Sequence, residues 1–238
     1  MADIAIFGDS FVDPYWMTRD GYSKPTTFTW LNELDKDHYV YNCGKAGTGP
    51  DYSITELVKW AKPMVEHKES KNYSVIFVCS DPCRLNLSCY KDPMEAVEIF
   101  DIAEGKRRHK SMLFAKQAIQ WMMTDAWQFN QALLYYSLVN MYAPHFKRVL
   151  FWTVGNEYIY NNTPLTANDN MQHVSVGLNR LSIRDCGQSI YGQGVDNRVN
   201  HFQESNHRVM YEQISNWIDN GTDIDTSKFL FAGPLETK

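Results

Sequence analysis

The sequence predicts an α/β fold in which a mainly parallel sheet lies between two layers of helices, a three-layer α/β/α sandwich. Short apolar runs rich in β-branched residues alternate with segments of helical spacing, which indicates strand-helix-strand crossovers. Residues 75–79 form a continuous apolar run, typical of a central parallel strand that is covered on both faces. The 238 residues, of which 44% are hydrophobic, suffice for one large core, so we expect a single domain over residues 1–238.

The first half of the chain supplies three of the predicted strands. The opening run Ile4-Ala5-Ile6-Phe7 predicts the first strand, and it stops at Gly8-Asp9-Ser10. Helical spacing over residues 27–35 precedes a short strand-like run at residues 39–42. The segment that follows is rich in glycine, which lets backbone rather than side chains approach a ligand. The next helix is predicted by an apolar stripe, Ile54, Leu57, Val58 and Ala61.

The second half is expected to add helices and two further strands. Residues 93–143 have an almost wholly helical pattern, which we interpret as a helical insert together with a long helix packed on the sheet. Residues 148–154 predict a buried strand, whereas residues 158–193 show little periodicity and are expected to be loops. The last helix should begin near Gln203 and close at Asn220-Gly221, and residues 229–232 are a candidate for a final short strand.

The composition argues against several classes of partner and cofactor. A net charge of -5 gives no electrostatic reason to expect nucleic acid or an anionic membrane, and every apolar stretch is shorter than a membrane span. The N-terminus has neither the charged region nor the apolar region of an export signal, so we expect a cytoplasmic protein. The 5 cysteines are an odd set without metal-ligand spacing. We therefore expect no disulfide framework, no metal and no cofactor.

Ser10 is the first candidate for a nucleophile, because it follows the first strand at the edge of the sheet where ligands bind. A serine hydroxyl needs a hydrogen-bonded base, and His201 stands directly before the last helix, which should pack on the same sheet. Asp196, five residues earlier, is the candidate for the acid that orients the imidazole. The other histidines, including His173, lack this context and are expected at the surface or in local hydrogen bonds.

At these positions the chain resembles the SGNH (GDSL-type) hydrolase superfamily over most of its length. Gly8-Asp9-Ser10 resembles the first family block, and residues 42–48 resemble the second, whose last glycine is Gly47. His201 and His207 resemble the closing block. The resemblance implies that Ser10 is the nucleophile, that the Ser10 and Gly47 N–H groups bind the oxyanion, and that His201 is the base. It also implies a flavodoxin-like arrangement of the five-stranded sheet.

The chain departs from the family pattern in two places. The third block usually supplies an oxyanion-binding Asn, and Ser80 stands there, so Ser80 or Asn156 is expected to replace it. The family acid usually precedes the histidine by three residues, a position that Arg198 occupies, so Asp196 requires a bulged loop. These departures leave open a second interpretation, in which the fold is kept for binding or assembly rather than for catalysis.

The resemblance implies a small-molecule ester as substrate. Tyr158, Tyr160, Asn161 and Asn162, expected near the same edge of the sheet, suit a carbohydrate ester, such as an O-acyl group on a sugar, as readily as they suit loop packing. Four residues are candidates for substrate binding, namely Asp9, Asp81, Arg84 and Asn156. The aromatic, asparagine-rich and short-looped character of the sequence is similar to that of bacteriophage-encoded members of the superfamily. This similarity would favour a virion-associated or host-surface role.

Overall fold

A computed structural model describes residues 1–9, 11–13, 29–45, 48–79, 84–86, 96–98, 124–154, 167–176 and 204–229. Within these residues, five parallel strands form the main sheet: β1 (Asp3–Phe7), β2 (Tyr39–Asn42), β3 (Tyr73–Cys79), β6 (Arg148–Val154) and β7 (Met171–Val176). A separate antiparallel ribbon pairs β4 (Arg84–Asn86) with β5 (Ala96–Glu98). The helices of the described part are α1 (Trp30–Asp37), α2 (Pro50–Glu66), α3 (Asp125–Tyr142) and α4 (Glu204–Asn220).

The two faces of the main sheet bury different sets of side chains, as the alternation of side chains along a strand requires. Ile4, Ile6, Ile76 and Leu150 face one layer, where α1 and α4 contribute residues such as Trp30 and Ile214. Ala5, Phe7, Val75 and Phe151 face the other layer, where α2 and α3 contribute residues such as Leu57 and Tyr136. The predicted α/β class and its three layers are therefore confirmed.

The strand order of the main sheet is β2-β1-β3-β6-β7. It departs from an uninterrupted flavodoxin-like 2-1-3-4-5 order because the β4–β5 ribbon, which lies outside the main sheet, falls between β3 and β6 in the chain. The continuous apolar run at residues 75–79 lies in β3, which pairs with β1 on one side and β6 on the other. The prediction of a central strand there is confirmed.

The prediction that residues 158–193 are all loop is wrong, because Met171–Val176 is the edge strand β7. Gln172 gave this strand a polar appearance, and its side chain accepts from Ile224 N (3.0 Å) and donates to Ile224 O (3.3 Å). The helical prediction for residues 93–143 is also wrong in part. Ala96–Glu98 pairs with β4, and the helix that packs on the sheet is Asp125–Tyr142.

Helix α4 runs antiparallel to the strands. The guanidinium of Arg148, at the start of β6, donates to the backbone oxygen of Trp217 near the end of α4 over 2.9 Å. The last turn is followed by Gly221 at φ +75°, a left-handed conformation that favours glycine, as the sequence predicted. The C-terminal end of α4 thus lies at the amino edge of the sheet, and its first residues lie toward the carboxyl edge.

No helix in the described part of the chain combines the length and the apolar character needed to cross a bilayer.

Candidate functional site

The carboxyl ends of β1, β2 and β3 lie side by side in the sheet. Ile6 of β1 pairs with Asn42, the last residue of β2, and Phe7 pairs with Phe77 of β3. Each of the three blocks that follow these strands in the sequence therefore begins at the same edge. In open α/β sheets this carboxyl edge is where ligands bind.

Hydrogen bonds of Asp9 with Phe11 and Val12 form a tight turn after β1. The Asp9 carboxylate accepts a hydrogen bond from Phe11 N over 3.1 Å, and Val12 N donates to the Asp9 backbone oxygen over 3.1 Å. Asp9, Phe11 and Val12 are all buried, with Asp9 only 1% exposed. The bond from Phe11 N to the side chain of Asp9 is that of an Asx-type turn.

The block after β2 is bonded directly to this turn. The Asn42 side chain donates from Nδ2 to the Val12 backbone oxygen over 2.9 Å and accepts at Oδ1 from Gly44 N over 2.7 Å. Lys45 N donates to the Gly8 backbone oxygen over 3.1 Å. One amide side chain and one backbone contact therefore join the Gly8–Val12 segment to the glycine-rich block.

Glycine is required on both sides of this junction because the two segments approach closely. A Cβ atom at Gly8 would lie 2.5 Å from Val12 Cγ2, and one at Gly44 would lie 2.4 Å from the Val12 backbone oxygen. Neither distance is compatible with a side chain. The two segments can therefore approach this closely because both positions are glycine.

The chain leaves the junction through a second short turn that leads into α2. The Thr48 hydroxyl is fully buried and donates to the Lys45 backbone oxygen over 2.6 Å. Gly49 is the N-cap residue and Pro50 the first residue of α2, a position that suits proline because it needs no N–H donor there. Gly47, the predicted oxyanion donor, stands between Lys45 and Thr48 in the sequence and lies outside the described residues.

Cys43 is the described thiol nearest to this junction in sequence. Burial raises the pKa of the Cys43 thiol, and the Glu56 carboxylate raises it further, while the hydrogen bond with Tyr41 opposes the shift. The same hydrogen bond is the largest cause that raises the pKa of Tyr41 to about 12. Cys43 is therefore protonated near neutral pH and is a poor nucleophile compared with a base-activated hydroxyl.

Helix α4 begins at Glu204, three residues after His201 in the sequence. Because α4 runs antiparallel to the strands, its first residues lie toward the same carboxyl edge as the Gly8–Val12 segment. His207 lies within α4 and is buried, with an exposed fraction of 5%. Asn206 beside it is fully buried.

The described residues include few of the predicted site residues. Asp9 is described with its side chain, and Arg84 is described as backbone in β4. The others lie outside the described residues: Ser10, Gly47, Ser80, Asp81, Asn156, Asp196 and His201. Their roles stay predictions, as do the distances among the serine, the histidine and the acid.

The structure adds one residue that sequence reasoning missed. Asn42 was expected to end a strand and to begin the second block, without a role of its own, yet its side chain bonds that block to the Val12 oxygen and also accepts from Gly44 N. The available signal was an asparagine at a strand end, two residues before a glycine, since such side chains often bond to nearby backbone.

A pocket of about 510 Å³ lies elsewhere, at the amino ends of β6 and β7. Lys147, Arg148 and Asp169 are among its lining residues, and none of the predicted site residues contributes to it. Its polar groups include Arg148 and Gln172, whose hydrogen bonds to Trp217 and Ile224 stabilise the fold. In the described residues, no three His, Cys, Asp or Glu side chains are grouped so that they could hold a metal ion.

No protein-family model matches the sequence, and no curated protein does.

Proposed function

We propose that the chain is a serine-dependent ester hydrolase of the SGNH type, with Ser10 as nucleophile and His201 as general base. The observation that carries the proposal is the junction between the Gly8–Val12 segment and the block after β2. Ser10 stands between Asp9 and Phe11 in the sequence, which are joined in an Asx-type turn, and Asn42 and Lys45 bond the glycine-rich block to the Val12 and Gly8 oxygens. A nucleophile and its oxyanion donors require such a fixed relationship.

In the proposed reaction the imidazole of His201 removes the proton of the Ser10 hydroxyl as its oxygen attacks the acyl carbon of the ester. The C–O bond to the alcohol breaks, the imidazolium returns the proton to the leaving oxygen, and an acyl-serine remains. Water, deprotonated by His201, then attacks the acyl-serine and releases the carboxylic acid and free Ser10. Asp196 orients the imidazole and stabilises its charged form.

The oxyanion formed in each step is bound by the N–H groups of Ser10 and Gly47. Two features of the described residues support this role for Gly47. The block that contains it is tied to Gly8 through Lys45 N, and Thr48 closes the turn on its other side. Ser80 or Asn156 supplies the third donor in the proposal, and a missing donor of this kind lowers kcat by about 10²–10³-fold.

The proposed substrate is an O-acylated carbohydrate. Residues 158–162, which follow β6 in the sequence, are Tyr-Ile-Tyr-Asn-Asn, and aromatic faces beside amide groups suit a sugar ring. The identity of the substrate concerns specificity alone, so a different ester substrate would leave the proposed serine chemistry unchanged.

The second candidate is a module that keeps the fold for binding, including assembly on a virion or a host surface. Two features of the sequence favour it: Ser80 at the usual oxyanion asparagine and Arg198 at the usual acid. Under this proposal the wild-type protein and a Ser10→Ala variant bind the same partner and neither turns over an ester.

The test is turnover of an activated acetyl ester by the wild-type protein and by Ser10→Ala and His201→Ala. We expect each variant to lose about 10³-fold or more in kcat, because the nucleophile and base act as a unit. Ser227→Ala and His67→Ala are matched controls at exposed positions on the described surface and should retain full activity. Equal turnover by the wild type and Ser10→Ala would overturn the proposal.

A further inference from the structure

Helix α3 exposes an uncharged stripe on the side opposite to the one that packs on the sheet. Its buried side consists of Ala132, Tyr135, Tyr136 and Val139. The exposed stripe consists of Ala126, Asn130, Leu133, Leu134, Ser137 and Met141, which at about 100° per residue occupy one continuous face. Leu133 is 36% exposed, Leu134 48% and Met141 57%.

This outer face differs from those of the other described helices. The outward positions of α1 and α2 carry exposed lysines, Lys36 and Lys59, each paired with a glutamate one turn away. Residues 126–142 contain no Asp, Glu, Lys or Arg. An exposed helix face with large apolar residues and no charge is typical of an interaction surface.

The exposed stripe is self-complementary about the middle of the helix. Leu133 and Leu134 flank the midpoint of Asp125–Tyr142. At equal distances from that midpoint stand Asn130 and Ser137, and farther out stand Ala126 and Met141. A two-fold axis at the midpoint would therefore bring leucine against leucine, an amide against a hydroxyl, and the large Met141 against the small Ala126.

We propose that α3 packs antiparallel against α3 of a second copy of the chain, forming an isologous dimer around Leu133 and Leu134. Each copy carries a net charge of -5, so two copies repel each other over most of their surface. The α3 face is free of charge and can be brought against itself without that repulsion. Alternating large and small residues let the two helices approach to about 8–10 Å between axes.

The dimer is reversible, because one helix pair gives an interface at the small end of the specific range. Sedimentation velocity should give about 27.6 kDa at low concentration and about twice that mass at about 100 μM. Leu134→Glu buries two carboxylates beside the axis, so the variant should stay near 27.6 kDa. Lys36→Gln changes the net charge by the same amount on the other layer and should dimerise like the wild type.

A cross-linking experiment tests the orientation of the helices. Ala126→Cys and Met141→Cys are made as separate proteins and then mixed with a short thiol cross-linker. Only the mixture should give a covalent dimer, because the antiparallel pairing sets position 141 of one copy against position 126 of the other. Two thiols introduced at position 126 would lie about 22 Å apart along the axis and should not react. The wild-type protein controls for its own cysteines.

Wild-type protein that remains a monomer at about 100 μM, as judged by its sedimentation, would overturn the proposal. So would a Leu134→Glu variant that folds, by circular dichroism, and still dimerises. If Leu134→Glu fails to fold, the cross-linking pattern decides the question. Cross-linking of either cysteine variant with itself, without preference for the mixture, contradicts the antiparallel arrangement.

Discussion

The side-chain amide of Asn42 donates to the Val12 backbone oxygen over 2.9 Å and so joins the turn after β1 to the block after β2. The two residues are 30 apart in the sequence. The same side chain accepts from Gly44 N over 2.7 Å, which fixes the direction in which the glycine-rich block leaves the strand. The position of any group carried by one segment relative to the other therefore depends on Asn42.

Asn42→Ala should lower the free energy of unfolding by about 1–3 kcal/mol, because it removes two hydrogen bonds and leaves the Val12 oxygen and Gly44 N without them. Urea titration measures the change. Asn32→Ala is a matched control, since Asn32 is an exposed residue of α1, and its effect should stay within about 0.5 kcal/mol. Equal free energies of unfolding for Asn42→Ala and Asn32→Ala would contradict the conclusion that the Asn42 side chain stabilises the contact between the two segments.

Asp9 should act on catalysis by positioning the turn rather than by binding the ester, because its carboxylate is 1% exposed and accepts from Phe11 N. Asp9→Ala should lower kcat by about 10–100-fold with little change in KM. Asp9→Asn, which keeps an oxygen acceptor toward Phe11 N, should recover most of that loss. A rise in KM with unchanged kcat would instead support the substrate-binding role that the sequence suggested.

Gly8→Ala and Gly44→Ala should each destabilise the protein by about 1–3 kcal/mol through overpacking against Val12. The two variants differ in whether a second substitution can relieve the overpacking. The new methyl at position 8 would lie 2.5 Å from Val12 Cγ2, so Val12→Ala should remove its shortest contact. At position 44 it would lie 2.6 Å from Val12 Cγ2 but also 2.4 Å from the Val12 backbone oxygen, a contact that Val12→Ala leaves in place. Double-mutant cycles by urea titration should give a larger favourable coupling with Val12→Ala for Gly8→Ala.

His173 should make the protein less stable as the pH falls from 7 to 5. Burial lowers the pKa of His173 to about 4, so the folded protein keeps it neutral while the unfolded chain binds a proton below about pH 6.5. Proton binding to the unfolded chain then favours unfolding, and the free energy of unfolding should fall by about 1–2 kcal/mol between pH 7 and pH 5.

His173→Gln should remove that part of the pH dependence, and urea titrations at pH 7 and pH 5 for both proteins isolate it. His67→Gln, at an exposed position after α2, is the control and should keep the wild-type dependence. A His173→Gln protein with the full wild-type dependence would show that other groups cause it.

The parts of the fold that follow local patterns were predictable from the sequence. The apolar run of β3 and the stripe of Met210, Ile214, Trp217 and Ile218 in α4 both lie in the core. Strand β7 was not predictable, because Gln172 and His173 are polar and their partners, Ile224 and Thr153, are distant in the chain. His173 was expected at the surface or in a local hydrogen bond, yet its ring lies against those of Tyr136 and Phe151, and its hydrogen-bond partner Thr153 is 20 residues away.

The candidate site likewise contains some features that were predictable from the sequence and others that were not. Gly8 and Gly44 could be recognised as backbone positions, because a glycine next to a strand end is typical of a turn or of a close backbone approach. The bond from Asn42 to Val12 could not be predicted, since it depends on the lateral pairing of β1 with β2. The contact of Asp196 with His201 stays a prediction, because it requires a bulged loop and a bulge leaves no periodic signal in a sequence.

The central claim is that Ser10 is an activated nucleophile, and covalent labelling tests it most directly. The protein is treated with a fluorophosphonate, and the adduct is located by peptide mass spectrometry. We expect one adduct, on Ser10, which is absent in Ser10→Ala and forms at least about 10²-fold more slowly in His201→Ala. A wild-type protein that takes up no label, or takes it up equally in Ser10→Ala, would contradict the account.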